Sequence, residues 1–146
     1  MVKTVITSNE APTPGLYSQA ILIDPLTHKL LLLSGQTGND KDLPGEAVVD
    51  GGYYEQALRA LRNMLAIVME AGGDASCFVS MQVLLKDSEN RRESREEFNA
   101  AYGDFFVAQG VRVLPTRSLF WVSEVPLEYP AENTLLEIVG IAAIPR

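Results

Sequence analysis

Residues 135–144 read Leu-Leu-Glu-Ile-Val-Gly-Ile-Ala-Ala-Ile, and residues 29–34 read Lys-Leu-Leu-Leu-Leu-Ser. Both are short apolar runs of strand length. Alternation along the first puts Leu135, Val139 and Ile141 on one face and Leu136, Ile138 and Ala142 on the other. Leu30, Leu31, Leu32 and Leu33 are consecutive, so that strand is apolar on both faces too. Strands of this kind need a cover on each side of their sheet.

The chain supplies one cover. Tyr54, Leu58, Leu61, Leu65 and Val68 recur at helical spacing and predict a helix over residues 52–71, with Asp50 placed to cap its start and Gly72-Gly73 to end it. Phe98, Tyr102, Phe105 and Phe106 mark the buried side of a second helix over residues 91–109, which Gly110 stops. The other strands are Val2–Thr7, Tyr17–Ile23, Phe78–Leu85 and Arg117–Ser123. Residues 24–28 (Asp-Pro-Leu-Thr-His) are turn-like, so the strands on either side of them read as a hairpin. Residues 126–133 form the loop before the last strand. The order β-β-β-α-β-α-β-β predicts an α+β fold, one mixed sheet with two helices on one face. No linker or repeat interrupts it, so residues 1–146 read as one domain. The uncovered sheet face would be a large apolar patch, which predicts an obligate oligomer with a partner chain as second cover.

Composition excludes several function classes. At 47% apolar and 21% charged residues, the chain has enough hydrophobic material for a packed core. A net charge of -7 disfavours a nucleic-acid partner, because phosphate binding calls for a basic surface. The charge run Glu89 to Glu97 has mixed signs and reads as a solvated helix face. One cysteine, Cys77, allows neither an internal disulfide nor a zinc site of its own, and reads as a small buried hydrophobe. The N-terminus lacks a signal-peptide pattern and no apolar run nears the ~20 residues of a membrane span, so a cytoplasmic location is expected. The one histidine, His28, sits in the turn, which leaves no His-based metal site and no Ser-His-Asp set. Gly35-Gln-Thr-Gly38 is neither a Walker loop nor a dinucleotide fingerprint.

Two charges stand out. Arg117 and Glu137 each lie in strongly apolar strand sequence, and a charge there needs a partner, a ligand or a water. Spacing leaves two readings open. The two charges pair with each other or with another charge, or they build a site. A guanidinium fork grips a carboxylate bidentately, and a nearby carboxylate orients a water. Together these would serve the metal-free hydrolysis of a small carboxylic acid.

Several segments then resemble one family in order and spacing. Gly15-Leu-Tyr-Ser-Gln19 resembles a GPYxQ segment and Ser34-Gly-Gln36 an SGQ motif. The first helix carries Gln56-Ala57, Leu61, Asn63 and Ala66 to Gly72 at the family's spacing. Val83 to Asp87 resembles V-x-V-K-D, and Phe98-Asn-Ala-Ala-Tyr102 with Phe105-Phe106 resembles V-N-x-x-Y-x-x-F-F. Pro115-Thr-Arg-Ser118 matches P-A/T-R-S, and Glu137 to Ala142 matches E-I-E-A-I-A. The whole chain thus resembles the RidA/YjgF family, also called the L-PSP endoribonuclease family.

That resemblance implies a chorismate-mutase-like α+β fold and a homotrimer with a site in each cleft between subunits. It also implies deamination of 2-iminobutanoate, 2-iminopropanoate and similar imino acids, without a cofactor. Carried over residue by residue, Arg117 would bind the substrate carboxylate, Glu137 would hold the attacking water and Tyr17 would contact the substrate. Ser34 and Gly35 would line the site, Gly35 allowing close backbone approach, and Asn99 would brace the cleft. Leu119 stands where the family often has Cys, which excludes a thiol role but keeps the backbone carbonyl. Leu16 in place of Pro and longer segments before Asn99 and before Glu137 mark a divergent branch and bear on substrate range. The rival functions are an endoribonuclease, a non-catalytic small-carboxylate-binding or chaperone-like trimer, and a pathway enzyme for another imine.

Overall fold

The structure, a computed structural model, describes residues 3–12, 15–125 and 133–146. Its elements are β1 (Thr4–Ile6), β2 (Ala20–Leu22), β3 (His28–Gln36), α1 (Gly52–Glu70), β4 (Phe78–Lys86), α2 (Arg91–Ala108), β5 (Thr116–Val122) and β6 (Leu136–Pro145). Short 3₁₀ turns occupy Pro44–Glu46 and Ala75–Cys77. The α+β order is the one read from sequence. The strands divide, however, into a four-stranded mixed sheet, β3-β6-β4-β5, and a separate antiparallel ribbon, β1-β2.

The expected hairpin of the second and third strands does not form. β2 pairs with β1, matching Ile21 to Val5, and β3 pairs antiparallel with β6, matching Leu32 to Ile141. The turn at residues 24–28 exists, with the Asp24 carboxylate accepting from the Leu26 amide at 2.8 Å, but it redirects the chain from ribbon to sheet. The physical reason is burial. β3 is apolar enough to lie beside the most buried strand, whereas β2 is short and largely exposed. Residues 126–132 of the expected loop before β6 lie outside the described residues.

Both helices pack on one face of the sheet. Glycines end them as the sequence predicts. Gly72 (φ 87°) donates to the Met69 carbonyl while Gly73 donates to that of Val68, both at 2.9 Å; Gly110 (φ 69°) and Val111 repeat the arrangement on Val107 and Phe106. Asp50 does not cap α1. The N-cap is Gly51 at φ 107°, with no side-chain hydrogen bond. The buried face of α1 is Gln56, Ala57, Ala60, Leu61, Met64 and Val68, turned slightly from the larger apolar stripe. Alanines at 57 and 60 let the helix axis approach, while Leu58 and Leu65 pack at the margin. On α2, Phe98, Tyr102, Phe105 and Phe106 are all buried, each contributing roughly 2–3 kcal/mol. The acidic-basic run preceding them is a solvated face, with Arg91 on Asp87 and Arg92 on Glu96 in exposed i,i+4 pairs.

The opposite sheet face is bare. Leu30, Leu32 and Phe120 project from it and are 64%, 73% and 49% exposed. Cys77 is buried and unpaired, as read. Among the described residues no helix is long and apolar enough to cross a membrane.

Candidate active site

Strand register decides where the two unusual charges go. Met81 of β4 is matched to Arg117 of β5, and Leu84 of β4 to Glu137 of β6. Positions 81 and 84 point to opposite faces of a strand, so Arg117 faces the helices and Glu137 faces the bare side. The two do not pair with each other, and none of the salt bridges among the described residues engages the guanidinium. That removes the reading in which the two charges pair with each other within one chain.

Arg117 is held by α2. Its Cζ lies 4.7 Å from the Tyr102 ring centroid and 5.6 Å from that of Phe98. Its Nη1 is buried without a hydrogen-bond partner, as is the Tyr102 hydroxyl. Burial lowers the guanidinium pKa from its ordinary value, and the Tyr102 and Tyr17 phenols work against that shift. The same burial raises the Tyr102 phenol well above its ordinary value, with the Arg117 charge opposing.

Tyr17 reaches the site from the loop before β2. The Ser18 amide donates to the Pro115 carbonyl at 3.1 Å and its hydroxyl to the Leu114 carbonyl, which pins this loop to the start of β5. Tyr17, Gln82 and Arg117 then line one cleft of about 200 Å³. A cleft of that size accepts a few heavy atoms, and an unpaired guanidinium in its wall would select a carboxylate.

Glu137 and Gly35 form a second group. β3 shifts register between Leu33 and Gln36, which brings Gly35 beneath the Glu137 side chain. A Cβ at position 35 would sit 1.7 Å from Glu137 Oε1, so only glycine leaves the carboxylate its position. Asn63 of α1 supports the turn that follows, donating to the carbonyls of Thr37 at 3.2 Å and Asn39 at 2.8 Å. Ser34 is exposed beside Gly35.

The remaining candidates separate. The Leu119 side chain packs against the core, so only its backbone is available to a ligand. Asn99 on α2 is half-buried, and its Oδ1 is buried without a partner. Trp121, on the Arg117 face of β5, packs toward α2, its indole N–H directed at Ser94 Oγ (3.5 Å) and its ring under Arg91. His28 opens β3 with Nδ1 2.7 Å from Thr27 Oγ1. Among the described residues no three His, Cys, Asp or Glu side chains gather as metal ligands do. Sequence reasoning found Phe98 and Tyr102 as core and missed them as the support of Arg117. Aromatics at i and i+4 opposite an apolar-strand arginine were the available signal.

The family pattern described as Endoribonuclease L-PSP matches residues 7–144. The chain belongs to the RidA/YjgF family. A human RidA/YjgF relative, named 2-iminobutanoate/2-iminopropanoate deaminase, is 32% identical over 140 residues, covering 93% of this chain and 98% of its own. Among solved structures, Escherichia coli TdcF with bound serine is 27% identical with a TM-score of 0.65, over 99% of both chains. A Rid-family protein of unknown function from Yersinia pestis superimposes with a TM-score of 0.76 at 19% identity, over 99% of this chain and 100% of its own, and bears on the fold alone.

Proposed function

We propose that this chain is a hydrolytic deaminase of reactive 2-imino acids, working as a homotrimer whose sites lie between subunits. The observation that carries the reading is the Arg117 guanidinium, seated on aromatic rings, free of any salt bridge among the described residues, in a cleft that Tyr17 also lines. The relatives named as deaminases support the reaction class, and serine in TdcF supports an amino-acid-sized ligand.

The bare sheet face is where subunits meet. Leu30, Leu32 and Phe120 are the apolar surface they bury, and Glu137 stands on that same face. Contact between copies brings the Glu137 of one subunit toward the Arg117 of another, which the sheet forbids within one chain. Arg117 then fixes the substrate carboxylate. Glu137 takes a proton from water as the oxygen attacks C2 of the iminium, and returns it to nitrogen in the tetrahedral carbinolamine. The carbinolamine hydroxyl then gives its proton to Glu137 as the C–N bond breaks, leaving the 2-keto acid and expelling ammonia. Orientation and charge placement supply the acceleration, with no covalent intermediate on the protein.

Subunit complementation tests both halves at once. Arg117→Ala and Glu137→Gln are each expected to abolish hydrolysis of 2-aminoacrylate generated in situ and scored by semicarbazide trapping. Co-assembled in equal amounts, they regenerate sites with both residues intact at roughly a quarter of the interfaces, restoring that share of activity. Activity in either single variant, or no recovery in verified mixed trimers, removes the proposal. RNA cleavage that survives Arg117→Ala would favour the nuclease reading instead.

A further inference from the structure

The seat of Arg117 is unusual for a half-buried cation. None of the salt bridges among the described residues involves it. A guanidinium taken out of water ordinarily requires a carboxylate partner, because desolvation of an unpaired charge is costly. Such a partner would occupy the N–H fork and cancel the charge that an anionic substrate needs. Aromatic faces do neither, since they attract the cation electrostatically while accepting none of its in-plane N–H donors.

The two rings form one surface. Phe98 and Tyr102 lie one helical turn apart, both fully buried, with centroids 5.9 Å apart and planes inclined by 35°. Phe106 stacks edge-on behind Tyr102 at 4.9 Å, so the ring facing Arg117 has little freedom to tilt. The Tyr102 hydroxyl makes no hydrogen bond, which assigns the contact to the ring and not to the oxygen.

We infer that Tyr102, assisted by Phe98, is a positioning residue, a neutral aromatic seat that keeps the Arg117 charge whole and its fork open for a substrate carboxylate. The inference rests on Arg117 being the carboxylate anchor proposed above, and adds what holds the anchor.

The test uses the full-length protein, pyruvate as a non-reacting carboxylate probe, and three variants. Dissociation constants come from calorimetry, KM and kcat from imine hydrolysis, and the Arg117 environment from its Nε–Hε NMR signal. Tyr102→Phe keeps the ring and is expected to leave Kd and KM within two-fold. Tyr102→Leu removes it and is expected to raise both about ten-fold, with kcat changed far less, and to shift the Arg117 signal as the ring current disappears. Phe98→Leu, with the more distant ring, is expected to raise both about three-fold and carries the comparison if Tyr102→Leu does not fold. Folded Tyr102→Leu with wild-type Kd and KM overturns the seat, as does Tyr102→Phe failing as badly as Tyr102→Leu. Pyruvate binding without imine hydrolysis by the wild type overturns deamination alone. Failure of the wild type to bind pyruvate overturns the anchor, and the seat falls with it.

Discussion

Gly35→Ala separates the position of the Glu137 carboxylate from the stability of the fold. The added Cβ would lie 1.7 Å from Oε1, 2.5 Å from Cδ and 2.8 Å from Cγ of Glu137, whereas ordinary contact begins near 3.4 Å. The backbone at 35 is not in the left-handed region, so alanine fits the chain and the side chain above it must yield. Glu137 is flexible beyond Cβ and half-exposed, and it can swing aside. An off-rotamer retreat costs about 0.5–1.5 kcal/mol, and the reduced freedom of the unfolded chain returns about 0.4–1 kcal/mol. Net stability should therefore stay within about 1 kcal/mol. The carboxylate, by contrast, is displaced by well over an ångström, a misplacement that costs on the order of a hundred-fold in a positioned reaction. The expected result is kcat for imine hydrolysis about two orders of magnitude lower, about 2.7 kcal/mol in the barrier, with Tm nearly unchanged. Trapping assays with semicarbazide give the rate and differential scanning calorimetry the stability. A folded Gly35→Ala protein working at wild-type rate would refute the claim that this carboxylate acts from where the glycine lets it sit.

Other consequences are equally open to measurement. Gln56 is buried and bridges the chain entering β6, donating to the Asn133 carbonyl and accepting from the Leu135 amide, both at 2.9 Å. Gln56→Ala strands both backbone groups and is expected to cost about 2–3 kcal/mol, lowering Tm by roughly 6–10 °C in calorimetry. The bare face predicts that Leu32→Asp shifts the protein toward monomers in analytical ultracentrifugation, with imine hydrolysis lost alongside. For alkaline pH the signs differ between two groups. Tyr102 keeps its proton in the fold above the ordinary value of 10, so the unfolded chain releases a proton first and stability falls as pH rises past 10; Tyr102→Phe should flatten that fall. Lys3, whose amine donates to the Phe78 carbonyl, is lowered to about 8 by burial. Between pH 8 and its unfolded value near 10.5 the unfolded chain holds the extra proton, so this group makes stability rise with pH, an effect that Lys3→Met should remove from urea-melt series.

The sequence by itself determined most of the secondary structure, because its signals are local. Aromatic spacing on α2, glycines at both helix ends and runs of branched residues each act within a few residues of chain. It also marked Arg117 and Glu137, since an isolated charge in apolar strand sequence is legible without coordinates. Strand partners were not legible. Whether β2 joins β3 or β1 depends on which pairing buries more, a comparison of contacts distant in sequence, and the turn at 24–28 serves either. Only the tertiary structure decided that the two charges face opposite sides of the sheet. Each strand's alternation tells which residues share its own faces, but the phase between β5 and β6 is set through β4, with Met81 and Leu84 fixing it three residues apart. The aromatic seat beneath Arg117 was hidden for the same reason. Sequence shows that Phe98 and Tyr102 are buried, and only helix packing on the sheet shows that a cation lies against their rings.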